Sequence, residues 1–183
     1  MELSEISRRS LLGTSVASVL AAALPGWAKA APVLSLSGDT AVTFLPGHRL
    51  ATLGQGWVLV TGGLRPGSQR GDSRPNGNTV AYLINPATGE TYAAAPMQVG
   101  RAFHALVPGP DGLVYAIGGH ASSPVASIEA YEMSANRWTF AGELRTLRGE
   151  VNATFVGNQL VVTGRNGGFE LVRPRLLAAT LTP

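Results

Sequence analysis

"DGLVYAIGG" (111–119) decides how this chain folds. Asp111 and Gly112 make a turn signal, and an apolar run rich in β-formers follows. The run then stops on a glycine pair. "WVLVTGG" (57–63) is a second copy, and "LVVTGR" (160–165) is a third in which Arg165 stands where the second glycine would be. The first glycines, Gly62, Gly118 and Gly164, lie 56 and 46 residues apart. Each copy has a short turn before it ("GQG", "PGPDG", "GNQ") and another apolar run before that turn ("RLATL", "FHALV", "NATFV"). Each unit therefore opens as a two-stranded hairpin.

The downstream halves match as well. "TVAYLINPATGETYAAAP" (79–96) and "SIEAYEMSANRWTFAGE" (127–143) each read strand, turn, strand, with Tyr92 and Trp138 opening the last strand. "FELVRPRLLAATLTP" (169–183) follows the same outline without the aromatic. The chain thus divides into three units, 47–97, 98–146 and 147–183, each of four short strands. Nothing between them has a 3.6-residue period, so no helix is expected there.

These residues resemble the kelch repeat, in which a glycine pair ends the second strand and a tyrosine and a tryptophan follow about seven residues apart. The second unit carries the pattern best: Gly118-Gly119, Tyr131 and Trp138, with Arg101 and His104 ahead of the first strand pair. The first unit offers Gly62-Gly63 with Tyr82 and Tyr92 at a longer spacing, and the third keeps only Gly164. The resemblance implies an all-β fold of kelch-type β-propeller blades, about three four-stranded blades in an incomplete ring. Stacking is physically required, because a four-stranded blade cannot bury both faces alone. Large aromatics fill the layer between blades. Glycine lets backbones approach closely where inner strands crowd the axis.

The blade count leaves a remainder. "TAVTFLP" (40–46), within a lead-in over 31–46, reads as one lone outer strand. Propellers typically close with about 4–8 blades. Two explanations fit. Two chains join as a homodimer that completes one ring, or the chain is a shortened relative of a longer propeller.

Residues 1–30 are set apart. "SRRSLL" (7–12), with Arg8 and Arg9, resembles the twin-arginine export motif, and a weakly apolar run follows, over 11–24. "PGWAKA" then places Ala28 and Ala30 as a small-x-small cleavage site. The run is shorter than the roughly 20 apolar residues that span a bilayer. The expectation is a helical signal segment, a periplasmic or extracellular protein, and a membrane encounter only through that signal.

Beyond residue 30 the chain keeps eleven basic residues, all arginine, against nine acidic ones. No basic run with interleaved aromatics accompanies this balance, so no nucleic-acid partner is expected. There is no cysteine. That excludes disulfides, thiolate metal sites and the cysteine-linked tyrosine cofactor of galactose-oxidase-like propellers, the enzymes the resemblance brings to mind first. His48, His104 and His120 are the only histidines, without local ligand spacing, so neither metal nor cofactor is expected. Glu129 and Glu132 bracket a strand and read as solvated.

The candidate ligand-binding residues are Arg65, Arg70 and Arg74 in the irregular stretch 64–78, and Arg101, His120 and Arg148 around the channel mouth. Loops held by a rigid scaffold often bind, and arginine suits a carboxylate or an acidic sugar. No catalytic constellation stands out. The reading is a module that binds a protein or a carbohydrate. The alternative is a kelch-type carbohydrate-active enzyme, or a fragment of one, in which Arg101, Arg148 and His120 meet in one pocket.

Overall fold

The computed structural model describes residues 45–68, 76–146, 149–165 and 167–175. Within them run three antiparallel sheets, each a meander in chain order. Blade 1 holds β1 (His48–Thr52), β2 (Val58–Gly62), β3 (Ala81–Ile84) and β4 (Thr91–Ala93). Blade 2 holds β5 (Ala105–Pro108), β6 (Val114–Ile117), β7 (Ser127–Glu132) and β8 (Arg137–Glu143). Blade 3 holds β9 (Val151–Val156), β10 (Gln159–Gly164) and β11 (Phe169–Val172). The fold is the kelch-type all-β stack expected from the repeat. The fourth strand expected over 177–183, the lead-in strand as far as residue 44 and the export signal with Arg8 and Arg9 lie outside the described residues. Among the described residues no helix is long and apolar enough to cross a membrane.

The turn that opens the analysis is built by Asp111. Its carboxylate accepts from Leu113 N at 3.2 Å and from the Tyr115 hydroxyl at 2.7 Å. That fixes the entry of β6. Strand alternation then splits β6 between two cores. Val114 and Ala116 face blade 1, where they meet Leu59, Leu83, Tyr92 and Trp57. Tyr115 and Ile117 face blade 3, where they meet Val151, Leu160 and Val162. All four β6 residues are buried, which is the pattern of a strand covered on both sides. At about 1.5–3 kcal/mol for each large apolar side chain removed from water, these two layers hold the stack together. The innermost strands lie side by side, β1 against β5 and β5 against β9.

Register corrects the aromatic assignment in the first unit. Val58 of blade 1 pairs with Ile84, as Val114 of blade 2 pairs with Tyr131. Ile84 in turn pairs with Thr91, as Tyr131 pairs with Trp138. The blade 1 counterparts of Tyr131 and Trp138 are therefore Ile84 and Thr91. Tyr82 stands where blade 2 has Glu129, and Tyr92 where it has Thr139. Tyr92 still fills an inter-blade layer, but from the other side. It packs on Trp57 at 5.5 Å, while the Tyr131–Trp138 pair, 5.0 Å apart, reaches back towards blade 1.

Candidate functional site

The glycine pairs mark one end of the stack. Gly118 and Gly119 have φ of +61° and +90°, where a side chain is strained. A Cβ on Gly119 would lie 2.7 Å from Ala102 O, and one on Gly62 would collide with Arg101 O. The chain leaves each crowded strand here and feeds loops that are stitched across the same end. Leu64 bridges Gly77, Asn78 bridges Arg101, Ala102 bridges His120, and His120 bridges Pro124. The loops of blades 1 and 2 after their glycine pairs thus share one surface.

Arg101 lies beneath that surface, not on it. It has no exposure, and every guanidinium donor is used. Nε donates to Val99 O at 3.3 Å. Nη1 donates to Gly118 O at 3.1 Å and Ser127 O at 2.8 Å. Nη2 donates to Ser127 Oγ at 2.9 Å and to the Glu129 carboxylate. Glu129 is equally committed: Oε2 accepts from Gln98 N at 2.6 Å and Oε1 from Val99 N at 3.1 Å. Burial pulls the Arg101 pKa below its usual value while the Glu129 carboxylate pulls it back. The expectations of Arg101 as a channel-mouth residue and of Glu129 as a solvated one are both corrected. Together they tie the linker from blade 1 to the second and third strands of blade 2. Glu132 is partly exposed and pairs with Arg137 at 3.2 Å.

The three histidines have separate positions. His104 is buried, with Nε2 2.8 Å from Thr61 Oγ1 across the joint between blades 1 and 2. Burial above all, then the nearby Arg101 charge, holds its pKa well below 6.5, so the ring is neutral. His104 Nδ1 is buried without a partner among the described residues. The tautomer that leaves a bare lone pair there, rather than an N–H, has Nε2–H donating to Thr61. His48 Nδ1 sits 2.9 Å from Leu45 O. The half-buried His120 ring lies over Gly149, where a Cβ would collide with it. Among the described residues no three His, Asp or Glu side chains gather as a metal site.

Of the candidate ligand-binding residues, Arg65 and His120 are accessible at the glycine-pair end. Arg65 is exposed, and its Nε donates to Gly77 O at 3.4 Å. Gly77 in turn lies so close to His120 O that a Cβ would sit 2.5 Å from it. Arg70, Arg74 and Arg148 lie outside the described residues, and the buried Arg101 does not join His120 in a common pocket. The sequence reading missed a cleft of about 500 Å³ at the outer rim between β8 and β11, lined by Glu143, Arg145, Glu170, Arg173 and Arg175. There Arg175 lies over the Phe140 ring at 5.7 Å, and Glu170 accepts from Arg145 N at 2.6 Å and Thr146 N at 3.3 Å. The "RPR" run, 173–175, was the available signal.

The family model for the Kelch motif matches residues 101–145, from the buried arginine to the end of blade 2. No curated protein matches the chain.

Proposed function

From a kelch repeat set in a stack of three blades, we propose a non-catalytic binding module that reads a carboxylate-bearing protein or glycan with the glycine-pair end. The observation that carries this reading is a division of labour among ionisable groups. Arg101, Glu129 and His104 are consumed by the scaffold. Arg65 and His120 stand accessible at one end, joined through Gly77. The sequence that continues from Arg65 adds Arg70 and Arg74. Arginines on a scaffolded loop suit carboxylates through bidentate hydrogen bonds. The twin-arginine-like start with Arg8 and Arg9 supports export, so the ligand belongs to the periplasm or the outside of the cell.

Titration calorimetry with an oligogalacturonate and with a Glu-rich peptide tests this. Binding of one of them should weaken with salt and fall roughly tenfold in Arg65→Ala, the size of one charge-assisted contact. No binding of either, or turnover of the sugar, overturns the reading; turnover would favour the carbohydrate-enzyme alternative.

A further inference from the structure

Two asparagine–glycine steps occur in the sequence, Asn76-Gly77 and Asn166-Gly167. Such a step is chemically labile. Once deprotonated, the glycine nitrogen attacks the asparagine side-chain carbonyl, and no Cβ on the glycine stands in the way. The structure gives the two nitrogens different surroundings. The Gly167 N–H donates to Gly164 O at 3.1 Å, within the turn between β10 and β11. The Gly77 N–H has no acceptor among the described residues. It lies between the two bonds that stitch this stretch to the one after the first glycine pair, Arg65 N to Asn76 O and Asn78 N to Gly63 O, both 2.8 Å.

These surroundings also favour the amide anion. Asn76 O belongs to the same peptide group as Gly77 N, so the bond it accepts from Arg65 N draws negative charge off that nitrogen. The Arg65 guanidinium adds a positive charge at the next carbonyl, Gly77 O, 3.4 Å from Nε. The Asn76 side chain is exposed and has room to turn. Glycine at 77 is demanded by the stack, because a Cβ there would lie 2.5 Å from Arg101 Cα and from His120 O. The fold therefore keeps the residue that makes the step labile.

We propose that Asn76 is a site of spontaneous deamidation and reacts ahead of Asn166. Gly77 N forms a bond to Asn76 Cγ, the Cγ–Nδ2 bond breaks, and ammonia leaves a cyclic imide. Water then opens the ring. Opening between Cγ and Gly77 N gives aspartate. Opening between the Asn76 backbone carbon and Gly77 N gives an isoaspartyl link, with one more methylene in the main chain. The balance is one water in and one ammonia out. The isoaspartyl form moves the chain carbonyl away from Arg65 N and sets a free carboxylate beside the Arg65 guanidinium, so the Leu64–Gly77 bridge opens. The consequence for a ligand rests on the reading above; the chemistry does not.

The test is incubation of the full chain in mildly alkaline buffer, sampled over days, with peptide mapping and fragmentation by mass spectrometry. Asn76 should gain the mass difference between a carboxyl and an amide, as a mixture of aspartate and isoaspartate. In the folded chain it should react at least about threefold faster than Asn166, and in urea the two rates should converge, because unfolding erases the difference in amide acidity. Arg65→Met should slow Asn76 roughly threefold or more and leave Asn166 unchanged. Asn166 reacting as fast as Asn76 in the folded chain overturns the proposal. So does a difference that persists in urea, or an Asn76 rate that Arg65→Met does not move.

Discussion

The two joints within the stack are built differently. The joint between blades 1 and 2 is pinned by directional bonds along its length. Thr61 meets His104 at the inner end, and Trp138 Nε1 donates to Ala95 O at 2.8 Å further out. Gln98 Nε2 donates to Trp138 O at 3.1 Å, and Asn136 Oδ1 accepts from both Ala95 N and the Tyr131 hydroxyl at 2.8 Å. Glu129 grips the connecting linker and is itself held by Arg101. Among the described residues the joint between blades 2 and 3 is an apolar layer, with Tyr115 edge-on to Phe155 at 5.2 Å and the Glu170 carboxylate clasping the linker at the rim. The kelch signature therefore works backwards: Tyr131, Trp138 and Glu129 belong to blade 2 but secure blade 1. Blade 3 keeps one counterpart, Glu170, which pairs with Val162 as Glu129 pairs with Ala116, and carries Val172 in place of Tyr131, so the described part of its joint has fewer pins.

The largest break in this contrast should come at Glu129. Glu129→Gln leaves a buried guanidinium without its countercharge and should cost about 3–5 kcal/mol, read from a urea midpoint. A loss near zero would mean the pair contributes nothing to the first joint. Trp138→Ala should cost about 3–5 kcal/mol through the cavity it leaves. Trp138→Phe keeps much of the ring but loses the bond to Ala95 O, and should cost about 1–2 kcal/mol; thermal unfolding of the two variants separates packing from pin.

Acid should weaken the first joint selectively. His104 is neutral when folded because burial depresses its pKa, whereas the unfolded chain takes up a proton near pH 6.5. Its contribution is complete above that pH and is lost as pH falls towards the folded value, by at most about 1.4 kcal/mol per pH unit. His104→Gln should flatten that slope; an unchanged slope would place the acid sensitivity elsewhere. The smallest effect belongs to the second joint. Glu170→Gln weakens two hydrogen bonds at an exposed rim and should cost about 0.5–1 kcal/mol in the same urea titration. A loss equal to that of Glu129→Gln would erase the distinction between the joints.

The fold was legible because its signals are local. Each glycine pair, each turn and each alternating run lies within a few residues, and β6 announces a doubly buried strand by itself. The aromatic correspondence in the first unit was not legible, because counting from Gly62 to Tyr82 crosses the long stretch 64–78. Only pairing with β2 shows that Ile84, not Tyr82, is the counterpart of Tyr131. Arg101 misled for a related reason. An arginine ahead of a strand reads as surface, and its partner stands 28 residues away on β7. Nothing short of register brings them together. Arg65 and His120 each follow a glycine pair, and the bridges Leu64–Gly77 and Ala102–His120 bring the stretches after both pairs to one end of the stack.

Native-state hydrogen exchange tests the central claim, that the first joint carries more directional bonds than the second, most directly. The account predicts that amides of β2, β3, β6 and β7 exchange together at the global unfolding free energy, while those of β9, β10 and β11 open first as a separate unit. Exchange from blade 3 as slow as that from blade 1 would contradict it.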